Sequence, residues 1–230
     1  MVSFIKMIGL LILVISLCLF SSLTEYKNNF KSENIIYESN GFFDNKKVVD
    51  SLMNNDFFKK LINNNEFQKV ENELKKINSI KDIEVYRKNN IELGFKISDR
   101  EPIAYILNSN SFLDNSSILI DRVDKVIDSL PKIFGSLENQ NRIKIVKIIR
   151  KFNDDRVFKN KLEKLWYEKD ELFIRIKNLD FDIRFGNVNK LNNKLEMLKG
   201  FYFYIYNDSL MSKYEQIDLV YNNRLIAIKK

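Results

Sequence analysis

Residues 97–106 read ISDREPIAYI, and the fold turns on how this stretch is understood. In the residues leading in, Ile91, Leu93, Phe95 and Ile97 alternate with Glu92, Lys96 and Ser98. That is the two-residue period of a strand with one buried face. The pattern breaks at Asp99, Arg100, Glu101 and Pro102, then resumes as Ile103–Ala104–Tyr105–Ile106. A strand delivered to a charged corner stiffened by proline marks a junction, and the composition shift at 98–104 is the expected domain boundary.

Upstream, the sequence predicts a compact α+β module. Ile35, Ile36 and Tyr37 form a short first strand. Asp44 can cap a helix carrying Val48, Val49, Leu52 and Met53, and Phe57, Phe58, Leu61 and Ile62 continue as a short second turn or helix. Phe67, Val70, Leu74 and Ile77 trace one face of the clearest helix, which is expected to end at Asn78–Ser79. Ile83, Val85 and Arg87 then alternate, and Lys88–Asn89–Asn90 turns the chain into the strand 91–97.

Downstream, the pattern is mainly β. Short strands are expected at Ala104–Ile106, Phe112–Leu113 and Ile118–Ile120, with an extended stretch at Leu130–Gly135. A helix from about Gln140 buries Ile145, Ile148, Ile149 and Phe152, and another carries Leu191, Leu195 and Leu198. Strands at 172–176 and 181–185 precede the latter, and Ile217–Tyr221, a turn at Asn222–Asn223 and Leu225–Ile228 end the chain. Tyr202, Tyr204 and Tyr206, at spacing two, suggest one face of a strand.

The composition excludes several chemistries. The chain has 230 residues, no histidine and one cysteine, Cys18, so structural zinc, internal disulfides and His- or Cys-based catalysis lack their residues. Asp99 and Glu101 stand two apart with no second polar cluster, which argues against acid–base work. The net charge of +7 comes from 38 basic and 31 acidic residues mixed along the chain, weak support for nucleic acid. The pairs Lys59–Lys60 and Lys75–Lys76 suit a solvated helix surface, and Gly94 and Gly186 are lone glycines that cradle nothing. No cofactor, metal, nucleic acid or small-molecule substrate is expected.

At the N-terminus, Met7–Leu23 is a nearly continuous run of 17 apolar or small residues after Lys6. This is the short end of what spans a bilayer, and an uncleaved transmembrane anchor is the expectation. A cleaved signal peptide is the rival, but the run lacks an A-x-A-like site and Leu17 suits lipoprotein cleavage poorly. The expected order is a cytoplasmic tail at 1–6, an anchor at 7–23, a stalk at 24–33, an α+β domain at 34–100 and a β domain at 101–230.

Ile97, Asp99, Arg100, Pro102, Ile103 and Ala104 resemble the hydrophobic-x-acid-Arg-x-Pro-hydrophobic-Ala junction of the bacterial cell-division family FtsQ/DivIB, with Asp99 where Glu is usual. Leu130–Pro131 followed by Gly135 is similar to that family's Leu-Pro-x-x-x-Gly element. Gly186 with Lys190, Leu191, Lys194 and Leu195 resembles its Gly and Lys-Leu helix, and Ile217–Tyr221 its terminal Ile-Asp-Leu-Arg-Tyr strand, with Val220 in place of Arg. Upstream, the helix and the Ile83/Val85 strand resemble its POTRA (polypeptide-transport-associated) module, although Asn78–Ser79–Ile80 replaces the usual Pro-Trp pair.

The resemblance implies an α+β fold: a transmembrane helix, an extracytoplasmic POTRA-like strand-helix-helix-strand-strand module, and a β domain with accessory helices. It implies a single-pass protein of the inner membrane, its bulk in the periplasm or outside, enriched at the septum and touching lipid through the anchor. Such a protein works without chemistry, as a divisome scaffold that links early and late division proteins and supports control of septal peptidoglycan synthesis. Its implied partners are small coiled-coil division proteins like FtsB and FtsL, and other divisome membrane proteins. Strand addition would engage Ile217, Asp218, Leu219, Val220, Tyr221, Leu225 and Ile226, while Asp99, Arg100 and Pro102 would hold the inter-domain corner. The alternative is a POTRA-bearing part of another envelope assembly or secretion machinery. Repeated modules or a long barrel would favour it, and the chain has room for neither.

Overall fold

The structure, a computed structural model, describes residues 11–16, 35–39, 41, 43–88, 92–121, 127–135, 137–207 and 211–230. From Ile35 onward, twelve strands and five α-helices run among the described residues in the order β1 (Ile35–Ser39), α1 (Asn45–Met53), α2 (Asp56–Asn63), α3 (Phe67–Leu74), β2 (Ile80–Arg87), β3 (Leu93–Asp99), β4 (Pro102–Ile106), β5 (Ser111–Asp114), β6 (Leu119–Ile120), β7 (Lys132–Phe134), α4 (Asn139–Asp154), β8 (Leu162–Glu168), β9 (Glu171–Ile176), β10 (Asp182–Gly186), α5 (Leu191–Asn207), β11 (Tyr214–Asp218) and β12 (Ile226–Lys229). They form a three-stranded sheet, β1-β3-β2, and a nine-stranded sheet, β12-β11-β10-β9-β8-β7-β4-β5-β6. The fold is α+β.

The expectation of a transmembrane anchor at 7–23, and with it a single-pass inner-membrane location, is corrected. Among the described residues no helix is long and apolar enough to cross a membrane. Of that segment only Leu11–Ser16 is described, as helix. The rest of the expected anchor, the tail at 1–6 and the stalk at 24–33 lie outside the described residues.

The chain divides into two compact units. One comprises the described parts of Met1–Glu38, Lys46–Glu73 and Glu84–Lys96, and the other Ser39–Asn45, Leu74–Ile83 and Ile97–Lys230. In the first, the helices turn Val49, Met53, Phe58, Leu61, Ile62 and Val70 inward, and Val85, Leu93 and Phe95 are buried on the strands. Asn55 caps α2, its side-chain oxygen accepting the Phe57 N–H at 2.9 Å. The Tyr37 ring stacks on Phe95 at 5.7 Å and its hydroxyl donates to Asp50. Burial first, then the Asp50 carboxylate, pushes that phenol well above its ordinary value. The helix from Phe67 stops at Leu74, earlier than its apolar spacing predicts, and Ile77 lies in the following turn. The turn residues Asn89 and Asn90 lie outside the described residues.

The second unit contains the nine-stranded sheet. Ala104 and Ile106 of β4, Leu165 of β8, Leu172, Ile174 and Ile176 of β9, and Ile183 and Phe185 of β10 bury one face. Ile145, Val146, Ile148, Ile149 and Phe152 of α4, and Leu191, Leu195, Leu198 and Ile205 of α5, share that core. On the other face, Tyr105 and Phe112 pack with Ile120 and with Phe43 from the start of the unit.

Two elements differ from the sequence expectation. Tyr202, Tyr204 and Tyr206 belong to helix α5, not to a strand. The buried or half-buried set Leu198, Phe201, Tyr202 and Ile205 recurs at helical spacing, leaving Tyr204 and Tyr206 exposed. Strand β8 has no counterpart in the sequence reading. A register shift between Leu162 and Lys164 inserts an extra residue, so its buried Leu162 and Leu165 stand three apart.

Candidate partner interface at the end of the sheet

The chain's last strands finish the sheet. β11 pairs parallel to β10, with Ile183 beside Ile217, and antiparallel to β12, with Ile217 opposite Ala227 and Asp218 opposite Ile226. Ile217 and Leu219 are buried, and the Leu219 N–H donates to the Arg184 carbonyl at 2.9 Å, which extends the pairing beyond β11. Leu225 and Ala227 pack against the core, while Ile226 and Ile228 are 43% and 39% exposed on the opposite face. β12 is the end strand, and no strand pairs with its outer side among the described residues.

Beside this edge, charge is organised across three strands. Arg184 of β10 donates from Nε to Glu171 Oε2 of β9 at 2.5 Å and from Nη1 to Asp218 Oδ2 of β11 at 3.3 Å. Gln216 Nε2 donates to the other Asp218 oxygen at 2.5 Å. The hydrogen bond to Glu171 does most to raise the Arg184 value, outweighing a burial effect of opposite sign. Arg184 and Glu171 are partly exposed while Asp218 is buried, and the network ties β9, β10 and β11 in register.

At the far end of β10, Lys194 is buried and donates to the Phe185 carbonyl at 2.6 Å and the Asn187 carbonyl at 2.7 Å. Burial lowers its ammonium below the ordinary lysine value. It ties α5 to the turn after Gly186, whose φ of +68° suits glycine.

The seven residues expected to meet a partner thus take different places. Ile217 and Asp218 are on β11 inside the sheet, and Leu219 is buried just after it. Val220 and Leu225 are half-buried between the last two strands, Tyr221 is 49% exposed, and Ile226 opens β12. The structure adds Ile228, the second exposed apolar residue of the edge strand. Its alternation with Ala227 was the available signal.

The corner is a separate arrangement. Asp99 is buried: Oδ2 accepts the Phe43 N–H at 3.1 Å and Oδ1 accepts Asn45 Nδ2 at 2.7 Å. Asn45 in turn accepts Ser79 Oγ at 2.5 Å, and the Ser79 carbonyl accepts the Arg100 N–H at 2.9 Å. The Arg100 guanidinium turns to Asp114 of β5, 2.9 Å away, whose other oxygen accepts the Ser116 and Ile118 N–H groups. Pro102 opens β4 opposite Asp114. Asp99 therefore serves neutral donors, and Arg100 finds its acid on the neighbouring strand, all within one compact unit.

Among the described residues, no group of three or more His, Cys, Asp or Glu could hold a metal. Residues 101–228, more than half of the chain, match the family model described as FtsQ/DivIB, C-terminal related. The chain belongs to the FtsQ/DivIB family, and with it to bacterial cell division and the protein–protein interactions of the divisome. A search of curated proteins gives no significant match.

Proposed function

We propose that this protein is a non-enzymatic scaffold of the divisome that takes up a strand from a partner along β12. The observation that carries this is the position of β12 at the end of the sheet, with Ile226 and Ile228 exposed and no strand paired to its outer side among the described residues. Strand addition gives affinity through the ladder and specificity through alternate side chains. Ile217, Asp218, Leu219, Val220, Tyr221 and Leu225 position that edge, and Tyr221 and Ile226 touch the partner. Arg224, Lys229 and Lys230 flank it and favour a strand carrying acids. The partners are small coiled-coil division proteins like FtsB and FtsL, and through them the scaffold links early and late division proteins and supports control of septal peptidoglycan synthesis. The β1-β3-β2 sheet, with helices between β1 and β2 in the chain, supports a POTRA-like module at 34–100, and Asp99, Arg100 and Pro102 fix the start of the β domain that follows in sequence.

The test is co-purification from the native cells with Ile226→Asp/Ile228→Asp, both at exposed positions. The expected result is capture of small coiled-coil division proteins by the wild type and loss in the variant, with unchanged unfolding by fluorescence of Trp166. Equal capture by both would refute the edge. Capture of outer-membrane assembly proteins instead would favour a role in another envelope machinery.

A further inference from the structure

A second concave surface lies away from β12. Helix α4, the turn between β5 and β6, and the turn leading into α5 enclose an open cleft of about 930 Å³. Helix α4 contains five basic residues and one acid, Asp154. Three of the five, Lys147, Arg150 and Lys151, fall at i, i+3 and i+4 and line the cleft, and Lys190 joins them from the turn into α5. Arg150 is braced across the cleft, its Nε donating to Asn115 Oδ1 at 2.9 Å and Nη2 to the Asn115 carbonyl. Lys147, Lys151 and Lys190 have no ion-pair partner among the described residues. Against these four cations the lining presents one carboxylate, Asp154.

The rest of the lining narrows the ligand. Asparagines and serines supply further donors, and no aromatic residue lines the cleft. A protein partner would need an apolar, aromatic-rich centre, and here Ile143 is the only strongly exposed apolar side chain. A single-stranded nucleic acid would need stacking platforms for its bases. The volume suits an extended ligand better than one phosphate. We infer that the cleft binds a soluble linear phosphate polymer, a phosphodiester or polyphosphate chain without bases. This reading is independent of the β12 interface, and either can fail alone.

The full-length protein is titrated against fluorescein-labelled long-chain inorganic polyphosphate, with anisotropy as the readout. Lys147→Glu/Lys151→Glu is compared with Lys159→Glu/Lys169→Glu, which makes the same net charge change at exposed positions outside the cleft. The cleft variant is expected to bind about tenfold more weakly or worse, and the control within about threefold of wild type, as expected when only close charges count at moderate salt. Thermal unfolding of both variants confirms folding, and if the cleft variant is unfolded, Lys190→Glu replaces it. Equal weakening in both variants overturns the site, because binding then follows net charge alone. Poly-glutamate bound as tightly as polyphosphate overturns it in favour of an acidic protein. Cleft-dependent binding only to vesicles of anionic phospholipid overturns the soluble polymer and assigns the phosphates to a membrane.

Discussion

Gly186 closes β10, and its replacement by alanine tests the path into the terminal strand. At φ +68° a Cβ costs about 1–2 kcal/mol. The gain from a less flexible unfolded chain returns about 0.4–1 kcal/mol. The new Cβ would also stand 3.2 Å from Val220 Cγ2 and 3.7 Å from Val220 Cα. Val220 follows β11, so it must yield a few tenths of an ångström where the chain is held by the Leu219–Arg184 bond. The net expectation for Gly186→Ala is a loss of about 1–2 kcal/mol. Val220→Ala removes the touching methyl groups and leaves the φ term intact. A double-mutant cycle should therefore show coupling of about 0.5–1 kcal/mol, the double variant being more stable than the sum of the singles predicts. Urea unfolding followed by Trp166 fluorescence is the assay, since this single tryptophan sits on β8 in the same sheet. A neutral Gly186→Ala would refute the backbone argument, and a cycle without coupling would refute the contact with Val220.

Three further outcomes are expected. Asp99→Ala withdraws the acceptor of the Phe43 N–H and of Asn45 Nδ2, and should cost about 2–4 kcal/mol. Faster hydrogen exchange at the Phe43 amide is its local sign, and unchanged exchange would sink the corner account. Phe152→Ala empties a site whose ring meets Phe158 at 5.5 Å and Phe185 at 6.4 Å, so thermal or urea unfolding should show a loss of about 3–5 kcal/mol. At Asp155, burial pushes the carboxyl up, but Lys199 and the Val157 and Phe158 N–H groups outweigh it and hold it below its ordinary 3.8. Its stabilisation is complete above that value and is lost as pH falls through the lowered one. Lys199→Met should thus be least stable relative to wild type near neutrality, with the gap closing in acid; a gap independent of pH would contradict the pairing.

Most of the second unit was legible because its strands alternate and its helices keep one apolar face. The stretches 172–176 and 181–185 read as strands because their apolar residues alternate, and the structure has β9 at Glu171–Ile176 and β10 at Asp182–Gly186 with Leu172, Ile174, Ile176, Ile183 and Phe185 buried. Strand β8 escaped notice because a register shift separates Leu162 from Leu165 by three, a helical spacing. Tyr202, Tyr204 and Tyr206 misled for the converse reason: a spacing of two among three tyrosines, of which Tyr204 and Tyr206 are exposed, outweighed the 3.6 period of the buried side chains around them. At the hydrophobic run 7–23, apolar content and length alone led to the expectation of an anchor, whereas no helix among the described residues is long and apolar enough to cross a membrane. The proposed site was half legible: Ile217–Tyr221 read as a terminal strand, and Tyr214–Asp218 is β11 beside the edge strand. Which of its residues face outward depended on β11 lying between β10 and β12, a nonlocal pairing invisible to local pattern.

That placement bears on why the proposal puts a partner on the last strand rather than on the motif before it. An edge strand normally carries a device against unwanted pairing. At the other end of this sheet, β6 has only two residues, and Ile120 is buried with Phe43 and Phe112. β12 has four residues, and apart from Ala227 they are exposed: Ile226, Ile228 and Lys229. Lys229, with Arg224 and Lys230 nearby, discourages self-pairing between like-charged edges and permits pairing with an acidic strand. Two exposed isoleucines on a charge-guarded edge make sense if the guard selects a partner rather than excludes all. Asp218, held by Arg184 and Gln216, belongs to β11 inside the sheet, so under the proposal its carboxylate is engaged within the sheet rather than offered to an added strand.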